Sequence, residues 1–207
     1  MAAAGRITGE ATEPTSARAA TCAVLLAAGG GSRFAGSSHK LTALLRGQPV
    51  YRWALHAVRP AGLMSVVVVT GAVELDLPDW VTHVHNPNWA TGQASSLQCG
   101  IGRARALGAE AVVVGLADQP FITTEAWNTV ASHPAPIAVA TYDGTRGHPV
   151  RLHRSVWPDL PTEGDQGARS LMAVHPELVG EVACEGSPAD IDTMEDLQQW
   201  NLKTNSP

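Results

Sequence analysis

Short, uninterrupted apolar segments alternate along this chain with segments in which apolar residues recur at helical spacing. Segments 21–28, Ser65–Thr70 and 111–117 are apolar at almost every position, which is typical of strands buried on both faces of a sheet. Apolar residues recur at helical spacing after Pro49 and again over 93–107. The pattern predicts strands at 21–28, 65–70, 81–86, 111–117 and 137–142, and helices over 49–60, 93–107 and 124–132. This order predicts a single-domain, three-layer α/β/α fold with a mainly parallel, Rossmann-like sheet.

The segments after residue 142 are less regular. The pattern predicts a short strand over 147–152, with an antiparallel edge position as one option. It also predicts a helix at 169–174, a strand at 178–183 and a closing helix at 194–200.

The first 20 residues contain Arg6 and Arg18 but no apolar segment. We therefore expect a disordered leader at 1–20 and a folded domain at 21–203, because the leader has nothing to bury. The missing apolar segment also excludes a secretory signal.

Composition narrows the classes of function. The 207 residues carry a formal net charge of −5, which argues against a nucleic-acid binder that neutralises phosphates. No apolar run reaches the ~18 residues of a membrane span. The three cysteines lie far apart, at 22, 99 and 184, which indicates free thiols and a reducing, cytoplasmic compartment.

A glycine-rich loop directly follows the first predicted strand. It contains Gly29, Gly30, Gly31, Ser32 and Arg33, and it extends to Lys40. Ligands of open α/β sheets bind beyond the carboxyl ends of the strands. Glycine backbone can approach an anion closely there, and the two basic side chains could hold a triphosphate. A flexible turn remains the alternative for the glycines alone.

The spacing of this loop excludes two common nucleotide-binding motifs. Phe34 stands where a G-x-G-x-x-G motif starting at Gly29 needs glycine. Ser37 stands where a P-loop needs lysine after Gly36.

Carboxylates follow two later apolar segments. Asp118 ends the fourth predicted strand, where a metal-binding carboxylate belongs in such a fold, and Mg²⁺ is usually held by one or two carboxylates together with substrate phosphates. Asp190 and Asp192 could share a face of an extended segment. As an alternative, Asp192 or Thr193 caps the closing helix.

A third polar cluster covers Gly164, Asp165, Gln166 and Gly167. Its composition indicates a turn. A turn before a short helix can also present amides to an anionic acceptor.

Several of these segments together resemble the MobA-like nucleotidyltransferases, and among them most of all the molybdenum-cofactor cytidylyltransferases. The first matching segment is Leu26-Ala27-Ala28-Gly29, followed by Arg33 and Lys40. Further segments agree in order: 86–97 with its Asn, Trp, Gly and Ser-Leu positions, 116–120, 147–150, 164–169 and 190–197. The similarity runs from about residue 21 to 202. The stretch between Arg33 and Lys40 is somewhat longer here than in the family signature.

The resemblance implies a nucleotide-diphospho-sugar transferase type of fold and a role for each matching residue. It implies that Arg33, Lys40 and Asp118 are catalytic and that Asp118 and Asp192 bind Mg²⁺. His148, Asp165, Gln166 and Gly167 would bind the acceptor. Ala28 favours CTP, because relatives with glycine at this position tend to use GTP. The nucleotide-binding set would be Leu26, Ala27, Ala28, Gly29, Gly30, Gly31, Ser32, Arg33, Lys40, Asn86, Gly92, Ser95 and Ser96.

The resulting hypothesis is a Mg²⁺-dependent transfer of CMP from CTP to a phosphorylated small molecule, molybdopterin or molybdenum cofactor, with release of pyrophosphate. A molybdoenzyme could receive the product. A sugar-phosphate nucleotidylyltransferase and a non-catalytic nucleotide-binding or cofactor-binding chaperone are the alternatives. The set of Arg33, Lys40, Asp118 and Asp192 argues against the chaperone, since a pure binder need not keep two metal carboxylates.

Overall fold

The computed structural model of the chain describes residues 20–34 and 38–203. Of the expected leader, only Ala20 falls within them. The helices are α1 (Val50–Val58), α2 (Gln93–Ala106), α3 (Thr124–Ser132), α4 (Arg169–Val174) and α5 (Met194–Leu202). The strands are β1 (Thr21–Ala27), β2 (Leu44–Leu45), β3 (Gln48–Pro49), β4 (Ser65–Thr70), β5 (Thr82–His85), β6 (Ala111–Leu116), β7 (Ile137–Tyr142), β8 (Thr145–His153) and β9 (Val179–Ala183).

Seven strands form one mostly parallel sheet in the order β5-β4-β1-β6-β8-β7-β9. Strands β4, β1 and β6 are mutually parallel neighbours, and β8 alone runs antiparallel to both of its neighbours. Strands β2 and β3 form a separate small hairpin. The predicted α/β class and mainly parallel sheet are confirmed.

For the strand near residues 147–152, the antiparallel direction was predicted correctly but the position at a sheet edge was wrong. This strand, β8, is antiparallel but lies inside the sheet, between β6 and β7, and not at an edge. Asp143 and Gly144 both have positive φ, at 49° and 80°. Two such residues make a tight hairpin whose twist returns β8 alongside β7.

The pairing of β7 with β8 is interrupted in its middle. Val139 pairs with Val150, but the next residue, Ala140, pairs with Gly147. The two residues skipped are His148 and Pro149, and proline has no N–H to donate to a ladder. The interruption places His148 beside a cavity described below.

The other boundaries agree with the pattern to within one or two residues. Strands β4 and β7 and helix α4 occur as predicted, and α5 extends two residues further, to Leu202. Such shifts at element ends are ordinary.

Alternate residues of β1 supply two separate cores, one on each face of the sheet. Ala23, Leu25 and Ala27 pack on α1 and α3. On the opposite face, Cys22 and Val24 belong to the core that includes α2. This period-two division is expected for a strand buried on both faces, and it produces the three layers.

A third, smaller hydrophobic cluster packs the glycine-rich loop and the β2-β3 hairpin against the segment before α5. Phe34, Leu45, Val50, Ile191 and Leu197 pack together there. Ile191 is fully buried, so its two flanking residues, at 190 and 192, are fixed close to the glycine-rich loop. Within the described residues, no helix has the length and apolar character required to cross a membrane.

Candidate active site

A cavity of about 520 Å³ opens at the carboxyl ends of the parallel strands. Fourteen of the predicted site residues line it: Leu26, Ala27, Ala28, Gly29, Gly30, Gly31, Ser32, Arg33, Lys40, Gly92, Ser96, Asp118, Asp165 and Asp192. We call it the charged cavity. Gly29–Arg33 and Lys40 of the glycine-rich loop therefore border a space large enough for a small ligand. Residues 35–37 of the loop lie outside the described residues.

Four charged side chains meet in the charged cavity although they are far apart in sequence. The Lys40 ammonium lies 2.5 Å from a carboxylate oxygen of Asp118 and 2.8 Å from one of Asp192. The second oxygen of Asp192 forms an ion pair with the Arg33 guanidinium at 2.9 Å. The Lys40, Asp118 and Asp192 side chains are largely buried, whereas Arg33 is 74% exposed.

The charges of this group influence one another. Burial disfavours the Lys40 ammonium, but the charges and hydrogen bonds of Asp118 and Asp192 outweigh burial and raise its pKa. Burial, together with repulsion from Asp118 and Asp192, raises the pKa of Asp190. Asp190 therefore takes up a proton more readily than an isolated aspartic acid does.

The sequence left open whether Asp192 binds a metal ion or, like its neighbour Thr193, caps the closing helix. In the structure Thr193 is the capping residue. Thr193 caps α5: its hydroxyl accepts from the Asp196 amide at 3.1 Å, and the Asp196 carboxylate accepts from the Thr193 amide at 2.8 Å. This is a capping box. The side chain of Asp192 is therefore left to bind Arg33 and Lys40.

The donor set fits a divalent cation such as Mg²⁺. Asp118 and Asp192 already place one oxygen each within 2.8 Å of a single positive atom, the Lys40 nitrogen. Carboxylate oxygens are the ligands that Mg²⁺ prefers, with substrate phosphates completing the shell. Among residues 20–34 and 38–203, no three His, Cys, Asp or Glu side chains form a complete ion-binding group. A cation held here would therefore draw on the nucleotide phosphates as well.

Two predicted nucleotide-binding residues lie behind the cavity wall. Asn86 is buried, and its amide donates to the hydroxyls of Ser95 at 2.9 Å and Ser96 at 3.0 Å. The Ser95 hydroxyl donates to the Gly92 carbonyl at 2.9 Å. Asn86 and Ser95 thus hold the start of α2 in place, while Ser96 reaches the cavity.

Gly92 brings two loops into close contact. Its φ is 114°, and a Cβ atom built on it would lie 2.5 Å from the carbonyl carbon of Gly164 and 2.9 Å from the carboxylate of Asp165. Only glycine tolerates this conformation and this approach. As a result, Asp165 borders the charged cavity and accepts from the Gln93 amide at 3.3 Å.

The remaining predicted acceptor residues line a second cavity of about 260 Å³, which we call the apolar cavity. His148, Gln166 and Gly167 lie at this cavity with Arg146 and Arg169. Leu26 and Gln93 border both cavities. Burial and the positive charge of Arg169 lower the pKa of His148 to about 4, so its imidazole is neutral near pH 7.

The charged cavity also contains five residues that the sequence did not single out as site residues: Leu41, Trp89, Ala90, Gln93 and Leu116. Asp190, the carboxylate that the sequence grouped with Asp192, lines it as well. Trp89 packs so close to the glycine-rich loop that a Cβ on Gly30 would lie 3.0 Å from its ring. Trp89 follows β5 at the same edge of the sheet, and this position in the sequence could have indicated that it lies at the site.

A glycine-rich loop after β1, a carboxylate just after the neighbouring strand β6, further carboxylates just before α5 and basic side chains between them define an α/β protein of the nucleotidyltransferase class. The chain belongs to the MobA-like NTP transferase domain family, which matches residues 23–179.

Relatives agree with this assignment. The purine catabolism protein PucB of Bacillus subtilis is 29% identical over 191 residues, which cover 84% of this chain and 92% of PucB. The crystal structure of Rv0371c from Mycobacterium tuberculosis H37Rv superposes with a TM-score of 0.73 at 26% identity, over 86% of this chain and 96% of Rv0371c. A bifunctional enzyme IspD/IspF of Caulobacter vibrioides is 35% identical over 105 residues, 48% of this chain and 28% of that enzyme.

Proposed function

We propose that this protein is a Mg²⁺-dependent nucleotidyltransferase that moves CMP from CTP onto a phosphorylated acceptor of the molybdopterin type and releases pyrophosphate. The observation that carries the proposal is the meeting of Arg33, Lys40, Asp118 and Asp192 beside the glycine-rich loop. Two buried carboxylates with two cations suit a reaction in which negative charge builds up on a leaving pyrophosphate.

The reaction needs no covalent nucleophile from the protein. An oxygen of the acceptor phosphate forms a bond to the α-phosphorus of CTP, and the bond from that phosphorus to the bridging oxygen breaks. Pyrophosphate leaves with the electron pair. The chain's contribution is to hold both reactants in line and to supply positive charge from Lys40 and Arg33.

Asp118 and Asp192 are the residues that would hold the metal ion, which when bound neutralises phosphate charge. Rv0371c, which is 26% identical, has also been crystallised as a complex with manganese, and that structure superposes with a TM-score of 0.65 over 87% of this chain and 97% of Rv0371c. Its metal supports a divalent ion here. The choice of Mg²⁺ rests on the donor set and on the family resemblance.

The acceptor is proposed to place its body in the apolar cavity and its phosphate where this cavity meets the charged cavity, at Leu26 and Gln93. Asp165 would accept hydrogen bonds from polar groups of the acceptor. The floor of this cavity is aliphatic, with Leu97, Val139 and Met172 among its lining residues. A polyhydroxylated sugar would leave hydroxyl groups unpaired against such a floor, which is costly. A planar ring such as a pterin fits better, because its faces carry no hydrogen-bonding groups and its edge groups could pair with Arg146, His148, Gln166 and Arg169. Ala28 supports cytidine as the base, and a molybdoenzyme would be the recipient of the product.

The deciding experiment measures pyrophosphate release with four nucleoside triphosphates and three acceptors: a pterin phosphate, a hexose 1-phosphate and a polyol phosphate. We expect turnover with CTP and the pterin phosphate, and loss of turnover in EDTA. Asp118→Asn should lower kcat about 10²- to 10³-fold, whereas Asp79→Asn, at an exposed carboxylate outside both cavities, should not.

Two results would change the proposal. Preferred turnover of a sugar or polyol phosphate would establish the alternative acceptor class. Triphosphate binding without turnover on any acceptor would favour a binding protein.

A further inference from the structure

His39 connects the two ends of the glycine-rich loop. Its Nε2 atom lies 2.9 Å from the carbonyl oxygen of Gly29, and its Nδ1 atom lies 3.2 Å from the amide nitrogen of Leu41. The imidazole therefore bridges the backbone at the start of the loop and the backbone just after Lys40.

The two partners determine the chemical form of the ring. A carbonyl oxygen only accepts and a backbone amide only donates, so Nε2 must carry the hydrogen and Nδ1 must be the acceptor. This is one tautomer of the neutral imidazole. Burial has the largest effect and lowers the pKa of His39. The hydrogen bond to Gly29 opposes it, the charge of Lys40 lowers the pKa further and the charge of Asp118 raises it; the pKa stays below its usual value, in agreement with the neutral form.

The loop backbone is shaped to receive this ring. Gly31 has φ 61°, and a Cβ built on it would lie 3.1 Å from His39 Nε2 and 3.3 Å from Cγ of Lys40. Glycine at this position therefore lets the imidazole and the lysine stem lie directly against the loop.

The far side of His39 is anchored in the protein. Its carbonyl accepts hydrogen bonds from the amides of Thr42 at 2.9 Å and Ala43 at 3.0 Å. Leu41, the next residue but one, is 3% exposed and belongs to the core on the α1 side. His39 thus joins a firmly held turn to a loop whose Gly30 and Gly31 amides have no acceptor among the described residues.

We propose that His39 is a positioning residue that clamps Gly29–Gly31 to the Lys40 turn, so that the loop amides and the lysine ammonium face the same phosphate group. This inference rests on the triphosphate site of the proposed function.

Three variants separate the two hydrogen bonds. In His39→Gln the amide nitrogen can replace Nε2 and keep the bond to Gly29. In His39→Asn the amide oxygen can replace Nδ1 and keep only the bond to Leu41. His39→Ala removes both, and Ser38→Ala, at an exposed neighbour, is the matched control.

The first readout is hydrogen exchange of the ligand-free protein. We expect faster exchange over residues 29–34 in His39→Ala and His39→Asn, near wild-type exchange in His39→Gln and Ser38→Ala, and no change in β4 in any variant. Equal exchange in wild type and His39→Ala would overturn the clamp, whether or not the protein binds a nucleotide.

The second readout is the dissociation constant for CTP with Mg²⁺. It should rise about threefold to tenfold in His39→Ala and His39→Asn, the usual range for losing one neutral hydrogen bond, and the acceptor KM should stay constant. Unchanged affinity in His39→Ala, or an equal loss in His39→Gln, would contradict the positioning role. Absence of triphosphate binding by the wild type would count against the proposed function, while hydrogen exchange would still decide the clamp.

Discussion

The two cavities meet at Leu26 and Gln93 but are built in opposite ways. The charged cavity is formed largely by loops at the carboxyl ends of parallel strands. Among the described residues its polar groups come from 28–33, Lys40, Gln93, Ser96, Asp118, Asp165, Asp190 and Asp192. The apolar cavity is a gap in the core, floored by strand and helix residues. Its polar groups lie at the rim.

Because the two cavities differ in this way, one should select for the triphosphate and the other for the acceptor. Charge and backbone amides recognise a triphosphate whatever the rest of the molecule is. An aliphatic floor with few polar partners rejects ligands that bring unpaired hydroxyls. Reaction type and acceptor choice should therefore respond to changes in different cavities.

The largest effect should follow removal of the central charge of the charged cavity. Lys40→Met leaves the largely buried carboxylates of Asp118 and Asp192 facing each other without their shared cation. In the proposed reaction it also removes positive charge from the leaving pyrophosphate. We expect kcat/KM to fall about 10²- to 10³-fold, measured as pyrophosphate release.

Lys203 provides the matched control, because its ammonium lies over the Trp200 ring, on α5. Lys203→Met should turn over like the wild type. If Lys40→Met turned over as fast as the wild type, Lys40 would have no role in the reaction.

A nearly as large effect, this time on stability, should follow a change at the boundary between the cavities. Gly92→Ala forces a side chain into a backbone with φ 114° and against the Gly164 carbonyl. We expect a loss of about 2 to 4 kcal/mol in the free energy of unfolding, measured by urea denaturation.

Gly102 is the comparison, because it lies inside helix α2, which begins directly after Gly92. It is exposed, and a Cβ there meets nothing within 4 Å, so Gly102→Ala should stabilise the protein by about 0.5 to 1 kcal/mol. Equal stability of Gly92→Ala and wild type would mean that the two loops are not held together as described.

The charged cavity was much easier to predict from sequence than the apolar one. Its glycine-rich loop and Asp118 each follow a continuous apolar strand, and in a parallel sheet such ends share an edge. The meeting of Lys40 with Asp118 and Asp192 was not predictable from spacing. It depends on tertiary contacts that join residues 78 and 152 positions apart.

The apolar cavity depends on the position of β8 inside the sheet, which the local sequence pattern does not predict. The sequence placed His148 beside Asp165 as one acceptor group, but the structure puts them in different cavities. The cause is β8, which inserts between β6 and β7 and skips His148 and Pro149 in its pairing. The Asp143-Gly144 turn signalled the hairpin, but nothing local signalled its place inside the sheet.

A smaller effect should follow from partly filling the apolar cavity. Ala173 is exposed and lines this cavity, so Ala173→Phe can occupy acceptor space without disturbing the core. We expect the acceptor KM to rise about tenfold, which corresponds to ~1.4 kcal/mol, with an unchanged dissociation constant for CTP.

Its neighbour Val174 is 70% exposed and does not line the cavity. Val174→Phe should therefore leave both constants at their wild-type values. A rise in the CTP dissociation constant of Ala173→Phe would show that the two cavities do not act separately.

The smallest effect concerns the rim of the apolar cavity and depends on pH. The pKa of His148 is about 4 in the folded protein, lowered from 6.5 by burial and by Arg169. Between these values the unfolded chain binds the proton and the folded chain does not. The free energy of unfolding should therefore fall as the pH drops from about 6.5 towards 4.

His148→Gln removes the titrating group, so its free energy of unfolding should depend less on pH. The difference from the wild type should be on the order of 1 kcal/mol at pH 5, or about 2 to 4 °C in Tm. The midpoint should be compared at pH 5 and pH 8 for both proteins. The same pH response in wild type and His148→Gln would mean that His148 takes up its proton in the folded state. The apolar cavity would then present a charged rim, contrary to the contrast drawn between the two cavities.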